Sequence, residues 1–150
     1  MPRLSVWMIR TALVYLIAGF ALGAGMLAQR AVPVAVPLGI ALRPLHVELL
    51  ALGWVINLGL GVAYWILPRH ASGPERGGRS VVLAAVLFNA GVVAVGLGQA
   101  FGAPSALALV GRLAEASGAI VFASHTWRRV KPFRAGRIAG SSDTGQGVRW

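Results

Sequence analysis

Long apolar runs, separated by short polar or proline-rich segments, constrain the fold of this chain more than any other feature. The runs cover residues 7–29, 44–67, 80–101 and 105–127. A helix needs about 20 apolar residues to cross the hydrocarbon core of a bilayer, so each run is long enough. We therefore predict an all-α fold, an integral membrane four-helix bundle. Residues 1–130 would form a single transmembrane domain, and residues 131–150 a basic, flexible tail.

Composition supports this class of protein. The chain is 57% hydrophobic and 12% charged, and a soluble domain needs more charge than that to cover its core. It has no cysteine, which excludes disulfides, iron–sulfur clusters and thiolate metal sites. The net charge of +10 does not indicate nucleic-acid binding, because the basic residues crowd the ends of the apolar runs and the tail. Membrane lipids are the predicted surroundings, with no nucleic acid as partner.

The distribution of basic residues predicts an orientation. Of the 14 Lys and Arg residues, Arg30 and Arg43 fall on one side of the predicted bundle and Arg112 falls inside a run. All the others fall on the opposite side. Cytoplasmic segments of membrane proteins are enriched in Lys and Arg, so we predict cytoplasmic N- and C-termini. The proline-rich segment 32–37, predicted to be extended, would then lie outside.

Polar residues within apolar runs are costly in a membrane and are candidates for function. In the second run, which we expect to begin at Pro44, His46 is followed by Gly53, Asn57 and Gly61 on nearly one helical face. The small residues of this stripe could leave a groove for a flat macrocycle. They could equally allow a neighbouring helix to pack closely, and the spacing leaves both readings open.

The same region resembles a known family. The residues Arg43-Pro44-Leu45-His46, then Gly53-Trp54, then the stretch 61–69, resemble the second helix of the haem–copper oxidase central subunit. The similarity is greatest to the cbb-type oxidases and bacterial nitric oxide reductases. It covers residues 42–69 and extends loosely to the first run. In that family, the histidine at the position of His46 ligates low-spin haem b near the outer face of the membrane.

The resemblance implies a haem b-binding protein of the bacterial inner (cytoplasmic) membrane, with His46 as ligand of the haem iron. Its role would be electron transfer or haem carriage in a respiratory assembly, with other subunits or further copies of the chain as partners. Gly53 and Asn57 would line the haem, and Arg43 would pair with a propionate. Met26, at about the depth of His46, is a candidate second ligand, as is a histidine of another subunit.

The chain also departs from the family. Its histidines are His46, His70 and His125, too few for the family's haem and copper ligands. We therefore expect no copper centre and no complete oxidase in this chain alone. His125 falls on the predicted cytoplasmic side, on the order of 25–30 Å from His46 at 1.5 Å per helical residue. His70 falls on that side too, so neither can complete a haem at His46.

A second group of charged residues lies in the last run. Arg112 and Glu115 are three residues apart and can form an ion pair on one helical face, and Glu48 lies at a depth from which it can reach Arg112. A structural pair and a proton relay through Glu115 are both compatible with this spacing. The alternatives to a haem protein are a haem-free accessory or assembly subunit of a larger membrane complex and a small transporter that uses these charges.

Overall fold

The computed structural model describes residues 2–31, 38–67 and 78–127, and regular structure in these ranges is helical throughout. The elements are α1 (Arg3–Ala31), α2 (Leu38–Glu48), a π-helical segment (Leu49–Ile56), α3 (Asn57–Ile66), α4 (Gly78–Ala100) and α5 (Ser105–Trp127). In the described ranges, four helices are long and apolar enough to cross a membrane: Arg3–Ala31, Leu42–Ile66, Arg79–Ala100 and Ser105–Trp127. The prediction of an all-helical fold with this number of possible spans is confirmed.

The bounds of the helices differ from prediction mainly at the second span, by which we mean Leu42–Ile66. Helix α2, which forms the first part of this span, already begins at Leu38, so Pro44 lies inside a helix instead of in its first turn. A proline costs one backbone hydrogen bond, and apolar helices tolerate it when neighbouring helices and local adjustments compensate. The predicted extended segment 32–37 and the C-terminal tail lie outside the described residues.

The middle of the second span is π-helical from Leu49 to Ile56. A π-helix bonds each N–H to a carbonyl five residues earlier, and the N–H of Asn57 still bonds to the carbonyl of Leu52 in this way. The wider turn changes the angle between residues before and after the segment. The rotation of 100° per residue in a regular α-helix therefore does not give the angle between the side chains of Glu48 and Asn57.

The second span runs antiparallel to α1. Positions along the span contact α1 in reverse order: His46 meets Gly19, Gly53 meets Tyr15, and Gly61 meets Met8 and Ile9. These glycines matter because a Cβ at Gly53 would lie 2.7 Å from the Cγ of Tyr15. Close approach of the two helices at this point requires the absence of a side chain.

Helix α4 packs antiparallel to both the second span and α5. Asn57 of the second span contacts Asn89 of α4, and Leu45 lies against Gly96. Gly118 of α5 lies against the backbone of Ala84 in α4. Since each successive span reverses direction, the start of α1 and the end of α5 lie at the same end of the bundle.

The interior contains two apolar clusters. One is built on Met8 and Phe122 and the other on Tyr15 and Phe88, so α1, α4, α5 and the second span all contribute. Large apolar side chains also cover the outside of the bundle, among them Ile17, Ile66, Phe101, Leu109 and Trp127. An apolar exterior over an apolar interior is the arrangement expected of helices that face lipid.

Candidate functional site

The side chain of His46, in α2, packs against α1. Its Nδ1 is 2.8 Å from the carbonyl oxygen of Gly19, one of two glycines spaced i, i+4 on α1. The second, Gly23, provides the room for the ring, because a Cβ there would lie 2.8 Å from Cε1 of His46. A carbonyl only accepts hydrogen bonds, so Nδ1 carries the proton and the lone pair of the neutral ring is on Nε2. Among the described residues, no hydrogen-bond partner faces Nε2.

The other residues predicted near His46 occupy different positions. Met26 is half-buried on α1, and with Gly19 and Gly23 it follows the i, i+4, i+7 spacing of one helical face. Met26 therefore lies on the same face of α1 that contacts His46. Arg43 is exposed on α2, three residues before His46.

Gly53 and Asn57 face α1, as His46 does, but their surroundings are filled by protein. The ring of Tyr15 lies directly on Gly53. Asn57 is fully buried and donates to the carbonyl of Met8 at 3.4 Å. The stripe of small residues is thus used for close helix packing, one of the two readings that its spacing allowed. A ring seated along Gly53 and Asn57 remains a prediction, and it requires the side chain of Tyr15 to move.

A network of buried polar groups ties the second span to α1 and α4. Asn57 and Asn89 exchange side-chain hydrogen bonds of 3.2 and 3.3 Å, and Asn89 also donates to the carbonyl of Ala85. Ser5 donates to the carbonyl of Gly61 at 2.6 Å. In an apolar interior each of these groups needs a partner, so the network fixes how the helices are rotated against one another.

Arg112, Glu48 and Glu115 form a cluster that we call the ion triad. The guanidinium of Arg112 donates to both carboxylate oxygens of Glu48, at 2.9 and 2.7 Å. Its Nη1 also donates to Oε2 of Glu115 at 2.8 Å. The predicted contact between Arg112 and Glu115 is confirmed, and Glu48 does reach Arg112. The two-bond geometry with Glu48 is the stronger of the two contacts.

The two acidic members of the triad are buried, and the basic member is not. The side chains of Glu48 and Glu115 are 5% and 7% exposed, whereas that of Arg112 is 45% exposed. Arg112 therefore forms the outward edge of the triad on the surface of α5. Among the described residues, Oε1 of Glu115 has no hydrogen-bond partner although it is buried.

Sequence reasoning missed the part that α1 plays at His46. The signal was present, because Gly19 and Gly23 form the G-x-x-x-G pattern typical of close helix contacts in membranes. The bond from His46 to the carbonyl of Gly19 had no such signal, since backbone carbonyls are the same at every position.

Comparison with known proteins gives no relative from which a role could be transferred. No family model matches the chain, and neither a curated protein nor a solved structure matches it significantly.

Proposed function

We propose that this chain is a multi-pass protein of the bacterial cytoplasmic membrane that binds haem b through His46 and acts in a respiratory assembly. The observation that carries the proposal is the hydrogen bond from Nδ1 of His46 to the carbonyl of Gly19. Ligating histidines in proteins typically donate their second ring N–H to a carbonyl or carboxylate, which fixes the tautomer and the ring orientation. His46 is prepared in this way to ligate iron through Nε2.

The surroundings of His46 would suit a ligand of the haem iron, whereas those of Gly53 leave no room for the haem ring. Nε2 has no partner within the described ranges, whereas Gly53 is covered by Tyr15. Met26 continues the α1 face that contacts His46, which supports it as one candidate for a second residue that would hold the haem iron. The other candidate is a histidine of a second subunit. When bound, haem b would supply one-electron transfer, and the second span would hold its ligand at a fixed depth.

The membrane part of the proposal rests on helix length and charge. The helices long enough to span bring the start of α1 and the end of α5 to one end of the bundle, and Arg3, Arg10 and Arg79 lie towards that end. The positive-inside rule favours the cytoplasm for it. A reporter that is active only in the periplasm should stay silent when fused to the C-terminus. Activity of that fusion would contradict the proposed orientation.

Haem binding is tested by absorbance of the purified protein, produced with ample haem and its native partners. Wild type should show a Soret band, and His46→Ala should lose most of it while the protein still inserts. His125→Ala is the matched control, because His125 lies at the opposite end of the bundle. A wild-type protein without Soret absorbance would end the haem proposal, and equal losses in the two variants would remove His46 as the specific ligand.

A second candidate function is that of a haem-free accessory subunit in a larger membrane complex. The observation that favours it is the exposure of Arg112, whose charged side chain is 45% exposed on α5. A charge on a face that meets lipid is costly, and contact with another subunit would cover it. The Soret measurement separates the two candidates. For the subunit, Arg112→Leu should release the chain from its complex on native gels, with Arg30→Leu as control.

A further inference from the structure

The charges of the ion triad do not cancel when every member is ionised. Arg112 carries one positive charge, and Glu48 and Glu115 would together carry two negative charges. Two acceptor oxygens, one from each carboxylate, share the same nitrogen, Nη1 of Arg112, so the two acidic groups lie close together. Like charges at such a distance are seldom both ionised, because one of them takes up a proton instead.

One carboxylate oxygen of the triad lacks a compensating hydrogen bond. Both oxygens of Glu48 and Oε2 of Glu115 accept hydrogen bonds from the guanidinium. Within the described residues, Oε1 of Glu115 is buried and has no partner, and the residue as a whole is 5% exposed. It is the oxygen of the triad least compensated as an anion.

The packing around Glu115 limits what could neutralise that atom. A Cβ at Gly91 of α4 would lie 2.6 Å from Cγ of Glu115, so α4 closes directly over the side chain. Among the described residues, the titratable groups that face Glu115 are Glu48 from α2 and Arg112 from α5 itself. The one charged residue in the sequence of α4 is Arg79, in its first turn. A cationic side chain of a partner protein could approach the triad only at its exposed edge, at Arg112, and would not reach the buried Oε1 of Glu115. A proton could.

We propose that the ion triad is a proton-binding site that holds one proton on the carboxyl group of Glu115. Glu115 is then a neutral carboxylic acid, Glu48 remains the anion paired with Arg112, and the net charge is zero. Binding forms one O–H bond on Glu115 from a proton of the solvent, without any redox change. Release would leave one negative charge between α4 and α5, so the state of the proton is coupled to how these helices are packed and wetted. This inference does not depend on haem binding.

Infrared spectroscopy of the full chain in lipid nanodiscs tests the proposal directly. The chain has only four acidic residues, and its glutamates are Glu48, Glu75 and Glu115. Labelling of glutamate with carbon-13 at the side-chain carboxyl identifies their bands. At neutral pH, wild type should show one protonated-carboxyl stretching band that shifts with the label and in heavy water. The absence of that band means that both carboxylates are ionised, as a cationic partner would require, and overturns the proposal.

Variants then assign the proton. Glu115→Gln should remove the band, and Glu75→Gln, the matched control, should leave it unchanged. Glu48→Gln should also remove it, because Glu115 must then ionise to balance Arg112. A band that survives Glu115→Gln would overturn the assignment, and one that survives Glu48→Gln would overturn the charge-balance argument. If a variant fails to fold, the labelled wild-type spectrum still decides whether a glutamate is protonated.

Discussion

The contact between α4 and α5 gives a prediction whose sign can be checked against a control. At Gly118, a Cβ would lie 2.7 Å from the carbonyl oxygen of Ala84 and 2.9 Å from the backbone nitrogen of Phe88. Both are backbone atoms of α4 and cannot rotate away. Gly118→Ala therefore forces the two helices apart, whereas a clash with a flexible side chain would be relieved locally.

The size of the effect follows from this geometry. Ordinary contacts begin near 3.4 Å, so the helices must separate by about 0.7 Å around Gly118. A gap of roughly 0.5–1 Å forfeits a quarter to a half of the dispersion energy of each contact across it. Overpacking of this kind typically costs about 1–3 kcal/mol. Alanine gains up to about 1 kcal/mol over glycine in helix propensity, which offsets part of the loss. The net loss relative to wild type is then about 0–2 kcal/mol. Relative to a variant with the same gain in helix propensity but no such contact, we expect Gly118→Ala to be less stable by about 1–3 kcal/mol.

The matched control is Gly59→Ala in α3. Nothing lies within 4 Å of a Cβ at Gly59, so the propensity gain is not opposed and the variant should be as stable as wild type or slightly more stable. The free energy of unfolding is measured for both variants by titration with a denaturing detergent, followed by circular dichroism. Equal stability of the two variants, or greater stability of Gly118→Ala, would refute close backbone contact between α4 and α5.

Three further perturbations test other contacts. Arg112→Lys should lower the free energy of unfolding by about 1.5–3 kcal/mol, because an ammonium cannot reproduce the two-bond contact with the carboxylate of α2; a denaturing-detergent titration that found no loss would contradict that geometry. A double-mutant cycle of Asn57→Ala and Asn89→Ala should give a coupling of about 0.6 kcal/mol, at most about 1.7, as interhelical hydrogen bonds in membranes do; strictly additive losses would mean that the amides do not bond. Gly53→Leu should lower the melting temperature, and adding Tyr15→Ala should restore part of the loss, because it removes the ring that occupies the space next to Gly53. A double variant whose melting temperature falls by more than the sum of the two single losses would exclude the contact between Gly53 and Tyr15.

The helices themselves could be predicted because hydrocarbon removes the alternatives. Without water, the backbone of a long apolar run satisfies its hydrogen bonds within the run, so residues 105–127 could be assigned as a helix with the bounds that α5 has. The pair Arg112 and Glu115 was equally local, since residues three apart on a helix always share a face. In both cases the information lies within one helix.

The predicted face of the second span was also correct, but its partner was not in the sequence. His46, Gly53 and Asn57 share the side that meets α1, yet the pattern allowed a cofactor or a helix there. A stripe of small residues indicates only that another helix or a ligand approaches the helix closely. What comes close depends on which helix the bundle places beside it.

The sequence by itself determined the helical class, the number of possible spans, and the asymmetry of basic residues that favours one orientation. Only the tertiary structure decided that Glu48 completes the ion triad, that α1 covers the glycine stripe, and that Oε1 of Glu115 is enclosed. The π-helical segment after Glu48 and the antiparallel order of the spans set these contacts. These contacts could not be predicted from the sequence because apolar helix faces are chemically alike. Which faces pack together depends on their shape and on the pairing of a few buried polar groups.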